Sequence, residues 1–148
     1  YFGHDEWERH APGLKHLDLT GTKVTDAGMV HLKTLTDLEE LYLSGTRVTD
    51  AGGAQLKGLT SLEELTLSAN TTDAALQHIK GFSELEKLDV AGSRVTDASL
   101  PVLMGLPKLD KLNVRDSRVS EAGIQALKKE RPTLKINVVM RRIRTELD

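Results

Sequence analysis

A segment of about 24 residues recurs along this chain, and no other feature limits its fold as much. Leu14-Lys-His-Leu-Asp-Leu-Thr-Gly-Thr-Lys-Val-Thr-Asp-Ala-Gly28 returns as Leu38-Glu-Glu-Leu-Tyr-Leu-Ser-Gly-Thr-Arg-Val-Thr-Asp-Ala-Gly52. The register is kept again from Leu85 to Ser99 and from Leu109 to Gly123, and a further copy, starting at Leu62, is one residue short. A unit this small has nothing of its own to bury an apolar face against, so the copies must stack. A stack offers a long surface to another macromolecule and rarely builds the deep polar pocket that catalysis needs.

Each unit reads as a strand, a turn and a short helix. Leu17 and Leu19 alternate with His16 and Asp18, and the alternation recurs at Leu41/Leu43, Leu65/Leu67, Leu88/Val90 and Leu112/Val114. Equivalent strands joined by a return segment lie parallel, about 4.8 Å apart. Gly21, Gly45 and Gly92 stand at the turn, with Ala69 and Asp116 as exceptions. Thr22, Thr46, Asn70, Ser93 and Ser117 follow, and Val24, Val48, Val95 and Val119 point inward. Thr-Asp pairs at 25/26, 49/50, 72/73 and 96/97, and Ser120-Glu121, supply an N-cap and an acidic first turn. Apolar residues at helical spacing come next, except that Gly53 replaces the residue equivalent to Met29, Leu76, Leu100 and Ile124. That glycine is expected to weaken its helix by about 1 kcal/mol. Gly58, Gly81 and Gly105 read as helix stops.

The pattern Leu-x-x-Leu-x-Leu-x-x-Thr/Asn/Ser-x-Val-Thr-Asp-Ala-Gly-x-x-x-Leu resembles a leucine-rich repeat, and its helical half is similar to the ribonuclease-inhibitor-like and bacterial varieties. The resemblance runs from Leu14 to about Val139. It implies an α/β solenoid, a curved right-handed superhelix with parallel strands on the concave face and short helices on the convex face. It also implies a protein-binding scaffold. The family's usual Asn after the strand survives only at Asn70, which is expected to turn into the stack. The Asn70-Thr71-Thr72 glycosylation sequon is set aside on that ground. The shortening between Asn70 and Thr72 is expected to remove either the basic or the valine residue of that turn.

Three segments follow: a partial N-terminal repeat or cap helix at 1–13, five repeats at 14–133, and a closing strand with a basic tail at 134–148. Trp7 aligns with the helical core residue Leu127. The expected form is a monomer or a fragment of a larger chain. Cysteine is absent, so no disulfide or thiolate metal site is expected. The net charge of -2 gives no electrostatic reason to expect nucleic acid or an anionic membrane as partner.

Strand periodicity sends three columns of side chains outward. These are Lys15, Glu39, Glu63, Glu86 and Asp110; His16, Glu40, Glu64, Lys87 and Lys111; and Asp18, Tyr42, Thr66, Asp89 and Asn113. Arg115 continues the face beyond its strand. Stacking Glu39, Glu40, Glu63 and Glu64 on adjacent strands costs stability, and packing does not require it. The functional reading is a concave protein-binding face with an acidic patch for a basic partner and Tyr42 as its aromatic anchor. The competing reading is a solvated face that keeps an open sheet soluble. A second line, Lys23, Arg47, Arg94 and Arg118, lacks the interleaved aromatics that nucleic-acid binding uses.

No catalytic constellation emerges, and no enzyme activity or cofactor is expected. His31 and His78 share one repeat position but lie two coils apart, too far for one metal. A metal cluster at His4, Asp5, Glu6, Glu8 and His10 is the weaker reading of that terminus. The Gly-Thr pairs are turns rather than a phosphate-binding loop. Other roles stay open: the substrate-recognition arm of a larger enzyme or sensor, such as a ubiquitin ligase, or a structural segment of a longer solenoid.

Overall fold

The computed structural model describes residues 13–138. Six three-residue strands form one parallel sheet in sequential order: β1 (His16–Asp18), β2 (Glu40–Tyr42), β3 (Glu64–Thr66), β4 (Lys87–Asp89), β5 (Lys111–Asn113) and β6 (Lys135–Asn137). Leu17, Leu41, Leu65, Leu88, Leu112 and Ile136 stand in register at the strand centres. Their flanking residues point to the opposite face, which is the alternation expected of a half-buried strand.

Each return segment carries one to three helical turns: α1 (Asp26–Met29), α2 (Asp50–Gly53), α3 (Asp73–Gln77), α4 (Leu100–Met104) and α5 (Glu121–Glu130). Short 3-10 helices at Val30–Leu32, Ala54–Leu56 and Asp97–Ser99 extend or precede them. The sheet and the helices enclose one continuous apolar core. Leu38, Leu41, Leu43, Leu59, Leu62, Leu76, Ile79 and Leu85 are wholly buried in it. The Trp7 half-unit, the His4–His10 acid and histidine cluster, and the basic tail around Arg141, Arg142 and Arg144 lie outside the described residues.

The turn after the strand behaves as expected in four coils. Gly21, Gly45 and Gly92 have φ of 73, 71 and 71°, and Asp116 adopts φ 56° at the same place. Thr22, Thr46 and Ser117 donate their hydroxyls to the carbonyls of Leu19, Leu43 and Val114, each at 2.7 Å. Of the three glycines expected to stop helices, Gly81 alone is left-handed (φ 81°), whereas Gly105 ends α4 in a right-handed conformation.

The third coil corrects two expectations. Asn70 is exposed rather than turned into the stack, and its amide reaches only the Thr46 carbonyl at 3.5 Å. The inner places are taken by Ser68 and Thr71, both buried. Ser68 stands where Thr46 and Ser93 stand, accepting from the N–H two residues on. Thr71 stands where Val24 and Val95 stand, since its carbonyl accepts from Arg94 as theirs accept from Arg47 and Arg118. The net shortening by one is therefore a loss just after Leu67 partly offset by an insertion at Ala69-Asn70. Thr71 keeps a buried side chain at the valine place, satisfied by the Ser68 carbonyl at 2.7 Å. No basic side chain stands in this turn, because Ala69 and Asn70 occupy the place that Arg47 and Arg94 hold in their coils. Burial is thus no reason to set aside the sequon at Asn70.

Gly53 also differs from expectation. It is buried, and a Cβ there would stand 3.2 Å from the Ala75 Cβ. The missing side chain is what lets α2 and α3 approach, so the gap implied by the sequence is closed by the neighbouring coil.

Thr25, expected as an N-cap, makes no side-chain cap bond, whereas the later pairs cap and do more. Thr49, Thr72, Thr96 and Ser120 accept from backbone N–H groups of their own helices. The Asp of each pair reaches the next coil. Asp26 accepts from the Thr49 N–H (2.7 Å), the Thr49 hydroxyl (2.6 Å) and the Gly52 N–H (2.9 Å). Asp50 does the same to Thr72, and Asp73 to Thr96 and the Ser99 hydroxyl. Asp97 continues the ladder to Ser120. Burial pushes the Asp26 and Asp73 carboxyls up, but their donors outweigh it and hold both below the usual carboxylate range. Arg131 adds one more tie between coils, its guanidinium donating to the carbonyls of Met104, Leu106 and Leu109 at 2.9–3.1 Å.

Candidate functional site

The outward face of the sheet is a ladder of polar side chains stacked in register. His16 lies beside Glu40, Glu40 beside Glu64, Glu64 beside Lys87, Lys87 beside Lys111, and Lys111 beside Lys135. The second column runs Asp18, Tyr42, Thr66, Asp89, Asn113 and Asn137. Parallel pairing at constant register produces this alignment, because each coil returns the chain to the same phase of the pleat.

A groove of about 620 Å³ runs across this face. Of the residues expected to contact a partner, Tyr42, Glu64, Thr66, Lys87, Asp89, Lys111 and Asn113 line it. Lys135 and Asn137 line it as well and were not among those residues, although Lys135-Ile136-Asn137-Val138 plainly repeats Lys111-Leu112-Asn113-Val114. His16, Asp18, Glu40 and Arg115 belong to the same face but not to the groove. Glu39 and Glu63 stand one residue before their strands and line a smaller depression of about 340 Å³ with Lys15, Asp37, Ser61 and Glu84.

The four glutamates of the sequence patch are thereby divided. Glu40 is engaged with the His16 imidazole. Glu64 accepts from the Tyr42 hydroxyl at 2.6 Å and pairs with the Lys87 ammonium at 2.9 Å. The Tyr42 bond and the Lys87 ammonium hold the Glu64 carboxyl low. The same bond to Glu64 pushes the Tyr42 phenol far above its ordinary value. Tyr42 is therefore pinned in place rather than free to swing.

Glu63 behaves oppositely. Its partial burial and the nearby carboxylates of Glu39, Glu86 and Glu84 raise its carboxyl. The concentrated acid of the described residues thus lies along the edge where the chain enters the strands, while Glu40 and Glu64 on the face itself are engaged internally.

Polar contacts also order the last column. Asp18 and Asp89 accept from the N–H groups of Thr20 and Ala91, both at 2.9 Å, and Asn113 accepts from that of Arg115 at 3.1 Å. Asn113 donates to Asp89 at 3.2 Å. On the helical side, His31 is exposed and His78 half-buried. Among the described residues no group of three or more His, Asp and Glu is placed to hold a metal ion.

Comparison with known proteins agrees with this architecture. Residues 12–71 match the leucine-rich repeat family model. A leucine-rich repeat protein of Leptospira interrogans superposes with a TM-score of 0.65 over 93% of this chain, at 23% identity. The chain folds as a leucine-rich repeat solenoid. It spans 34% of the Leptospira chain. No curated protein sequence matches it. In solenoid terms, the ladder of Asp carboxylates joins successive repeats on the helical side, and the charged columns occupy the strand side, where packing leaves residue choice free.

Proposed function

We propose that this leucine-rich repeat solenoid is a non-catalytic scaffold that binds a protein partner on its strand face, with a basic segment of that partner lying along the Glu39–Glu63–Glu86 edge. The observation that carries the reading is the alignment of Glu39, Glu63 and Glu86 on successive coils, tied N–H to carbonyl at 2.7 and 2.8 Å, where partial burial and the neighbouring carboxylates raise the Glu63 carboxyl. A row of mutually repelling carboxylates costs stability in the free protein, and a cationic partner removes that cost. The open face and the repeat match support a binding surface. The Val-Thr-Asp-Ala-Gly units support placing the repeats with the ribonuclease-inhibitor-like or bacterial type.

The test uses Glu39→Lys with Glu63→Lys, because Glu40 and Glu64 are already engaged inside the protein. Fluorescence anisotropy with a labelled Lys/Arg-rich peptide should show binding that the double variant weakens about tenfold, at unchanged circular dichroism. Equal binding by the variant removes the acidic edge as the site.

A further inference from the structure

The opposite half of the strand face carries the reverse charge. Constant register stacks Lys87, Lys111 and Lys135 on β4, β5 and β6, about 4.8 Å apart. Three ammonium groups side by side repel one another, and none is needed for packing, because the core is filled by Leu88, Leu112 and Ile136 on the other face. Their partners are few. Lys87 is held by Glu64. Lys135 stands 4.0 Å from Asp110, both side chains being more than half exposed. The Lys111 side chain makes no hydrogen bond or ion pair among the described residues, although it lines the groove of about 620 Å³. Asn113 and Asn137 run alongside the lysines, and an amide both donates to and accepts from a peptide backbone.

We propose that this lysine strip is the seat of a short acidic peptide segment of a partner protein, laid in extended form across β4, β5 and β6 with its carboxylates on Lys111 and Lys135. It rests on the reading of the strand face as a protein-binding surface, and it extends that reading to a partner of opposed charge blocks, basic along the Glu39–Glu63–Glu86 edge and acidic over β4–β6. Side chains on one face of an extended peptide recur about every 7 Å. That separation lies within the sweep of lysine stems rooted on neighbouring strands. The neighbourhood selects a short segment over a long polyanion. The strip is bounded by Glu64 on β3, and the acid edge of Glu63, Glu86 and Asp110 runs beside it. A phosphate backbone continuing past three strands would meet those carboxylates. The one aromatic ring in the groove, Tyr42, is tied to Glu64.

The experiment measures anisotropy of a labelled peptide of alternating Glu and Gly at low ionic strength. The intact chain is compared with Lys111→Glu/Lys135→Glu and with Glu39→Lys/Glu63→Lys. The expected result is saturable binding to the intact chain, about tenfold weaker in the lysine variant and undiminished in the glutamate variant. Equal binding by the lysine variant overturns the proposal. So does a linear inorganic polyphosphate that binds more tightly than the peptide, or self-association of the chain that the lysine variant abolishes. The basic-peptide measurement on the glutamate variant reports on the acid edge alone, so the two readings fail separately.

Discussion

Asp73 shows how much one side chain does in a repeat. It accepts from the Thr96 N–H, the Thr96 hydroxyl and the Ser99 hydroxyl of the next coil, at 2.9, 2.6 and 2.5 Å. Charge-assisted bonds of this kind are individually worth more than neutral ones. Asp73→Ala should destabilise the domain by about 2 kcal/mol, read as a lower urea midpoint at unchanged slope. Gly52 is matched to the same ladder. Its N–H donates to Asp26, and a Cβ there would fall 2.4 Å from that carboxylate oxygen and 2.8 Å from the Val48 Cγ1. Gly52→Ala should cost about 1–2 kcal/mol in the same measurement, despite the better helix propensity of alanine. The sequence shows Thr-Asp as a cap and an acidic first turn, because those are contacts within one helix. The reach of the aspartate to the following coil depends on stacking and has no local signature.

At the level of the element, strand and helix positions were legible because their periods differ. Leu41/Leu43 and Leu65/Leu67 mark strands, and Thr49 and Thr72 mark helix starts, as found. The irregular coil was legible only as an irregularity. Counting from Leu67 assigns Asn70 to the buried place, whereas Ser68 and Thr71 hold it. Two buried hydroxyls with carbonyl partners outcompete an amide that would need more room and more bonds. Gly53 teaches the same lesson at a helix. Restoring the apolar residue that other coils carry looks like an improvement in the sequence. Ala75 already closes the space, so Gly53→Leu should overpack the α2–α3 contact and lower stability by about 1–3 kcal/mol, seen as a fall in the thermal midpoint.

For the whole molecule, the ladder and the acid edge at Glu63 respond to pH in opposite directions. Asp26 and Asp73 are lowered in the folded state, so their contribution is present above the unfolded carboxylate value of about 3.9. It is lost as pH falls through their lowered values. Asp18, through its Thr20 bonds, and Glu64, through Tyr42 and Lys87, act with the same sign. Glu63 is raised, so acid relieves its repulsion instead. Among the described residues, four lowered carboxyls against one raised carboxyl give net acid destabilisation. Urea midpoints should be flat near neutrality and fall from about pH 5 to pH 3. Asp26→Asn/Asp73→Asn should flatten that fall.

Repetition in the chain was enough to establish the architecture, since a short amphipathic unit repeated in phase has stacking as its one way to bury leucine. It also separated core positions from display positions, because only the former obey the strand and helix periods. Register and reach came from the tertiary structure. It set Lys135 beside Lys111, gave Glu40 and Glu64 their internal partners, and gathered acid at Glu39, Glu63 and Glu86, with Lys108 drawn to Glu84 beside them. The reason is that a side chain's charge is written in the sequence, whereas the charge it leaves for a partner depends on which neighbours it can reach across the strands.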